Sequence, residues 1–417
     1  ISVLHQFATD AIIAMTLFGA VQAARAPMPR AVSLLGLLFS LLMLAASVAH
    51  GYASIMQDAS IRVTFWFIPI TSLMMALVLL RQLRTVVTVQ NSYFPVSMGE
   101  GGIKTALLIG VTAFVAAGFK LGTEWKLLAQ YFFDSLDQYT LMAIPFLLLA
   151  GVFLNPQRRS GNLVPFALLA LWLAAITGVK PAKVFFSIFI PGALVILALW
   201  LSGIKNLFVA ENKPLARLVV YGLVSALLIG SMWIMFVSFP EVPALVSLVV
   251  GAASIRILRD TKTQELGQIF SYSAAQSAVW LYTGAVTVLW AHLLSDAPWL
   301  ADMAEKIAQL TLHPGIFLLA LSVLVSAACY LIGPVAAVLL SSVLLQPIAS
   351  AINIQSLQLC AVLMMNVVIV KIYQINSAEI ATRYPGFQRR RALLLTFIIL
   401  LLVALFPLLT LRLSWYI

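Results

Sequence analysis

Charge is scarce in this chain. Of 417 residues only 9% are charged and only 14 are acidic, while 62% are hydrophobic. A soluble domain of this length could not hide so much apolar surface, which excludes a water-soluble globular protein. Cysteine is almost absent. Cys329 and Cys360 both lie in apolar runs, where they read as buried small side chains and not as a disulfide or a metal pair. Histidine occurs only at 5, 50, 292 and 313, with no HxxxH or CxxC spacing, so no metal or haem site bound by the protein is indicated. No acid–base pair or nucleophile constellation stands within the apolar runs, so an enzyme is not expected. No basic start, short apolar stretch and small-residue cleavage site marks a signal peptide. The first residue is Ile1 and not Met, so the natural N-terminus is expected upstream.

What fills the chain is long apolar runs. About fourteen segments are long enough or nearly long enough to cross a bilayer. They cover roughly 7–24, 31–55, 63–80, 103–119, 138–154, 163–178, 183–203, 215–238, 242–257, 270–294, 314–331, 334–351, 357–372 and 391–412. The expected fold is all-α: a polytopic membrane protein built as an ion-transporter-like helical bundle. Breaks at Pro or Gly admit a re-entrant hairpin, which membranes tolerate only where protein covers the open backbone. Gly333–Pro334, in "GPVAAVLLSS", is the candidate turn.

The net charge of +11 does not point to nucleic acid. Lys and Arg sit in alternate short loops, where they fix orientation in the lipid bilayer. Arg25 and Arg30, Arg81 and Arg84, Arg158 and Arg159, Lys205 and Lys213, Arg256 and Arg259, and Arg389 to Arg391 all fall on one side. The positive-inside rule makes that side cytoplasmic and puts both chain ends outside. Lys180 and Lys183 are exceptions on the outer side. Two amphipathic stretches, "EWKLLAQYFFDSLD" (124–137) and "PWLADMAEKIAQLTLH" (298–313), belong on the outer face. Trp125 and Trp299 would anchor them at headgroup level. Their recurrence hints at two related halves, as in many secondary transporters. "QNSYFPVSMGEGG" (90–102) is the linker candidate, separating domain 1–89 from domain 103–417.

At 127–155 the chain reads "LLAQYFFDSLDQYTLMAIPFLLLAGVFLN". This resembles the large membrane subunit of tripartite ATP-independent periplasmic (TRAP) transporters, through Leu136, Asp137, Leu141, Ala143, Ile144, Pro145, Ala150 and Gly151. "VFFSIFIPGALVILALWL" (184–201), "VSFPEVPALVSLVVGAASIRILRD" (237–260), the run 313–354 and "LCAVLMMNVVIV" (359–370) follow in family order. The first ninety residues, with "VTFWFIPITSLMMALVLLRQL" at 63–83, resemble the last three spans of the small TRAP subunit. The resemblance covers most of the chain. It implies a fused small-plus-large arrangement in a bacterial inner membrane, handling a small organic acid with a periplasmic substrate-binding protein or another membrane subunit as partner.

The chain departs from the family at two places. Between Asn155 and Val179 there is room for one span, so the first re-entrant hairpin of the family is expected to be missing. Near the second hairpin the family motif Asn-Leu-x-Ile-Gly-x-x-Thr-Pro-Pro-x-Gly keeps only its asparagine, Asn366. The rest reads "VVIVKIYQINS" from Val367. Family members couple transport to Na⁺, and Gly and Pro create the broken helices that expose carbonyls to such a cation. Losing them, and gaining Lys371, weighs against Na⁺ coupling here. No other cofactor is expected.

The candidate substrate or ion-site residues are Asn366, Lys371, Tyr373, Gln374, Asn376, Gly333, Pro334 and Gln276. Three of them have two readings. Lys371 either replaces the cation or binds a carboxylate, or it snorkels to cytoplasmic headgroups. Asn366 either coordinates a ligand or links two helices. Gln276, in "SYSAAQSAVW", lines a substrate wall or belongs to a small-residue packing stripe. Two functions from different classes follow: a TRAP-type transport component, and a transport-inactive scaffold derived from one.

Overall fold

A computed structural model describes residues 2–26, 28–57, 62–84, 102–119, 125–137, 164–203, 263–295, 298–309, 313–374 and 387–411. Among these there is no strand. In lipid each segment must satisfy its own backbone N–H and C=O groups, so uninterrupted apolar runs become helices. In chain order they are α1 (Ser2–Ala23), α2 (Arg30–Met56), a 3₁₀ turn (Val63–Trp66) entering α3 (Phe67–Arg84), α4 (Gly102–Phe119) and α5 (Leu127–Leu136). Next come α6 (Val164–Thr177), α7 (Pro181–Leu201), α8 (Thr263–Ser295) and α9 (Pro298–Gln309). The last are α10 (Pro314–Ile332), α11 (Pro334–Ala351), α12 (Ser356–Gln374), α13 (Arg389–Leu405) and α14 (Leu408–Leu411).

Among the described residues six helical stretches are long and apolar enough to cross a membrane: α2, the 3₁₀ turn with α3, the 274–294 part of α8, α10, α11 and α12. The protein is an all-α polytopic membrane protein. The expected segments at 138–154, 215–238 and 242–257, and the 90–102 linker, lie outside the described residues, apart from Gly102 at the start of α4.

By contact the chain forms two compact units. The first joins Ile1–Arg159 to Ile257–Ala297, and the second joins Ser160–Arg256 to Pro298–Ile417. In the first unit α2 packs along α3 and α4, and α8 packs against α1, α4 and α5. Helices in lipid gain little from apolar burial against each other, so close approach through small residues must hold them together. Gly19 meets that need. A Cβ there would fall 2.3 Å from the Cβ of Ala278, so α1 and α8 touch at this point only because Gly19 has none. At one end of the unit Gln82 Nε2 donates to the carbonyls of Ala24 (2.8 Å) and Ala26 (2.9 Å). This ties the end of α3 to the turn between α1 and α2, and gathers the exposed Arg25, Arg30, Arg81 and Arg84 there.

In the second unit the hydrogen bonds give the direction of each helix. The Gln388 backbone N–H, just before α13, donates to Ser202 O just after α7 (2.8 Å). Near the opposite end Gln358 Nε2, in the first turn of α12, donates to Ala404 O near the end of α13 (3.0 Å). Hence α13 runs antiparallel to both α7 and α12. α10 and α12 run parallel, because Ser326 meets Asn366 and Tyr330 meets Tyr373 further along both helices. α11 is the return stroke between them, packed on both.

Both amphipathic stretches form helices, α5 and α9. α5 buries Leu128, Ala129, Phe132, Phe133 and Leu136. Trp125, just before α5, and Trp299, in the first turn of α9, are about half exposed, as interfacial anchors should be.

Candidate functional site

The expected site residues fall mostly at one end of the second unit. α10 stops at Gly333, whose φ of +89° is a conformation an L side chain resists. Pro334 starts α11 at its first position, where the missing N–H costs nothing. A sharp turn therefore stands where the sequence suggested one. The same end holds the last turn of α12, with Lys371 half-buried and Tyr373 and Gln374 exposed. Tyr373 packs edge-on against Tyr330, ring centres 6.0 Å apart. Arg389, Arg390 and Arg391 begin α13 at this end too.

Asn366 lies two turns deeper and is completely buried. Its amide is occupied. Ser326 Oγ donates to Asn366 Oδ1 (2.7 Å), and Asn366 Nδ2 donates to Val362 O (2.8 Å) and Ser322 Oγ (3.4 Å). The side chain thus bridges α10 and α12. α12 is continuous through Asn366 and Lys371 to Gln374, so its backbone carbonyls up to Val370 are taken up by the helix rather than turned toward an ion. Five residues of helix place Lys371 about 140° around the axis from Asn366 and about 7.5 Å along it. The two side chains therefore do not share a face.

Gln276 belongs to the first unit, half-buried on α8. Beside it Ala274 and Ala278 receive Gly19 of α1, so this stretch of α8 carries a tight helix contact. Asn376 lies outside the described residues. Among the described residues no group of three His, Cys, Asp or Glu side chains is spaced to hold a metal ion.

A second polar cluster, at the end of the first unit away from Gln82, was missed by sequence reasoning. Arg62 precedes the 3₁₀ turn. Its Nη2 donates to Asp10 Oδ1 of α1 (2.6 Å), and its Nη1 donates to Asp137 Oδ2 just after α5. Thr64 Oγ1 also donates to Asp10 Oδ1 (2.9 Å). The guanidinium carbon sits 5.7 Å from the ring centre of Phe133, within cation–π range. Below it Phe65 stacks edge-on with Phe133 and tilts against His50. Burial, the largest single effect on Arg62, lowers its pKa, but the hydrogen bonds and charges of Asp137 and Asp10 together outweigh it and hold the proton more firmly than usual. Asp134, on the exposed face of α5, has its carboxyl pushed up by partial burial and by the charge of Asp137, against the opposing hydrogen bond from Gln130 (2.6 Å). The signal available in the sequence was Arg62 itself, a cation opening an apolar run.

No protein-family model matches the chain. The chain is similar to the C4-dicarboxylate TRAP transporter large permease protein DctM of Pseudomonas aeruginosa, 22% identical over 229 residues. That match covers 52% of this chain, and the chain spans about half the length of this relative, 53%. At this distance it supports kinship with TRAP membrane subunits.

Proposed function

We propose that the chain is the membrane component of a TRAP-type secondary transporter, in which a small-subunit-like part (1–89) is fused through 90–102 to a shortened large-subunit-like part (103–417). The observation that carries this is the likeness to a TRAP large permease, together with family-like segments in family order over most of the chain. The component sits in a bacterial inner membrane with its arginine-rich loops cytoplasmic and both ends periplasmic. It accepts a small organic acid from a periplasmic binding protein. The region 366–374 does not couple transport to Na⁺. Asn366 joins α10 to α12, and Lys371 reaches the cytoplasmic headgroups.

A second reading has its own observation. Asn366 spends its amide on Ser322, Ser326 and Val362, and α12 has no break. A chain that kept the bundle but lost the site would serve as a scaffold that docks a partner protein or another membrane complex. Uptake of labelled organic acids into proteoliposomes, with any periplasmic binding protein encoded beside this chain and with or without a Na⁺ gradient, separates the two. Saturable uptake that is indifferent to the Na⁺ gradient supports transport as proposed. Uptake that requires the gradient overturns the statement on 366–374. No uptake, with a membrane partner co-purifying, supports the scaffold.

A further inference from the structure

We infer that Asp10, Arg62 and Asp137 form an ionic clasp by which the small-subunit-like part recognises the large-subunit-like part. This rests on the small-plus-large reading. Asp10 and Arg62 come from the first part and Asp137 from the second, and all three stand at one end of the first unit.

The physical need for such a clasp is plain. Within a bilayer, apolar helix faces meet lipid about as happily as they meet each other, so apolar contact confers little preference for one partner. Polar contacts supply that preference. Each of these side chains is only about a third exposed: 30% for Arg62, and 31% for Asp10 and for Asp137. Coulomb attraction there is less screened than on an open surface. The composition is also directional. One cation serves two carboxylates, so without Arg62 two partly buried carboxylates face each other, and repulsion replaces attraction. Thr64 and the Phe133 ring fix where the guanidinium sits. Arg62 therefore works as the keystone, with Asp10 presenting it and Asp137 receiving it.

The test keeps the whole chain. A specific protease site is placed in 90–102, a tag is placed at the start of the chain, and the purified protein is cut in detergent and held on resin. The second piece should stay bound to the first in the wild type. With Arg62→Asp it should elute about tenfold faster. The double change Arg62→Asp with Asp137→Arg rebuilds one cation between two carboxylates and should restore retention. The inference is overturned if cut wild-type pieces separate at once, if Arg62→Asp is retained like wild type, or if the cut double variant is not retained although the same variant, uncut, still elutes as a single sharp peak. Uptake by the uncut chain is read separately, so failure of the transport reading and failure of the clasp appear in different assays.

Discussion

A single residue type often decides between two chemistries here. Asn366 in an apolar run reads equally as a ligand or as a bridge, because an amide does both. Its neighbours settle where it spends its hydrogen bonds, and Ser322 and Ser326 lie some forty residues away in the chain. Asn366→Ala removes bonds to both serines, and interhelical hydrogen bonds in membranes average about 0.6 kcal/mol. With the added loss of packing volume, a destabilisation of about 1–2 kcal/mol is expected, read as a lowered melting temperature in detergent. Asp134 gives a pH effect. Partial burial of this otherwise exposed side chain raises its carboxyl pKa, so the fold favours the protonated form by a small, solvent-screened amount. The stability this contributes is full below the unfolded value of about 3.9 and is lost as pH rises through the higher folded value. Asp134→Asn should flatten the melting temperature across that window, and an unchanged slope would contradict the assignment. Lys371→Met should leave uptake close to wild type if the ammonium only reaches headgroups. A loss of tenfold or more would give Lys371 a part in transport.

Helix positions were largely readable from the length of apolar runs, because a run with few charges that is long enough to span lipid has no other way to satisfy its backbone. How those helices touch was less readable. "SYSAAQSAVW" shows a small-residue stripe, yet nothing in it names α1 as its neighbour. Gly19→Ala should weaken the first unit, because the added methyl would meet Ala278 at 2.3 Å. Gly118→Ala is the control, with nothing within 4 Å of an added Cβ. It should be neutral, or stabilising by up to about 1 kcal/mol through helix propensity. Comparing their melting temperatures checks the pair, and equal shifts would contradict the close approach. Gly333–Pro334 was readable as a turn because both residues have narrow local roles, and the positive φ at Gly333 bears that out.

Across the whole molecule, charge and apolar patterning carry most of the information. They were enough for an all-α, multi-span membrane protein. The proposed orientation predicts that Trp125→Cys reacts with an impermeant maleimide added to intact cells, and that Ala26→Cys does not. Cys329 and Cys360 are fully buried and should stay silent. The reverse pattern would invert the topology. Spans, amphipathic interface helices and the Gly-Pro turn depend on interactions within about a turn or a run, so the order of residues along the chain was sufficient for them. The Arg62 cluster and the environment of Asn366 depend on residues 52 to 75 and 40 to 44 positions apart. Partners at such separations are chosen by helix packing, because an ion pair or an amide bridge exists only where the packed helices bring its groups within about 3 Å.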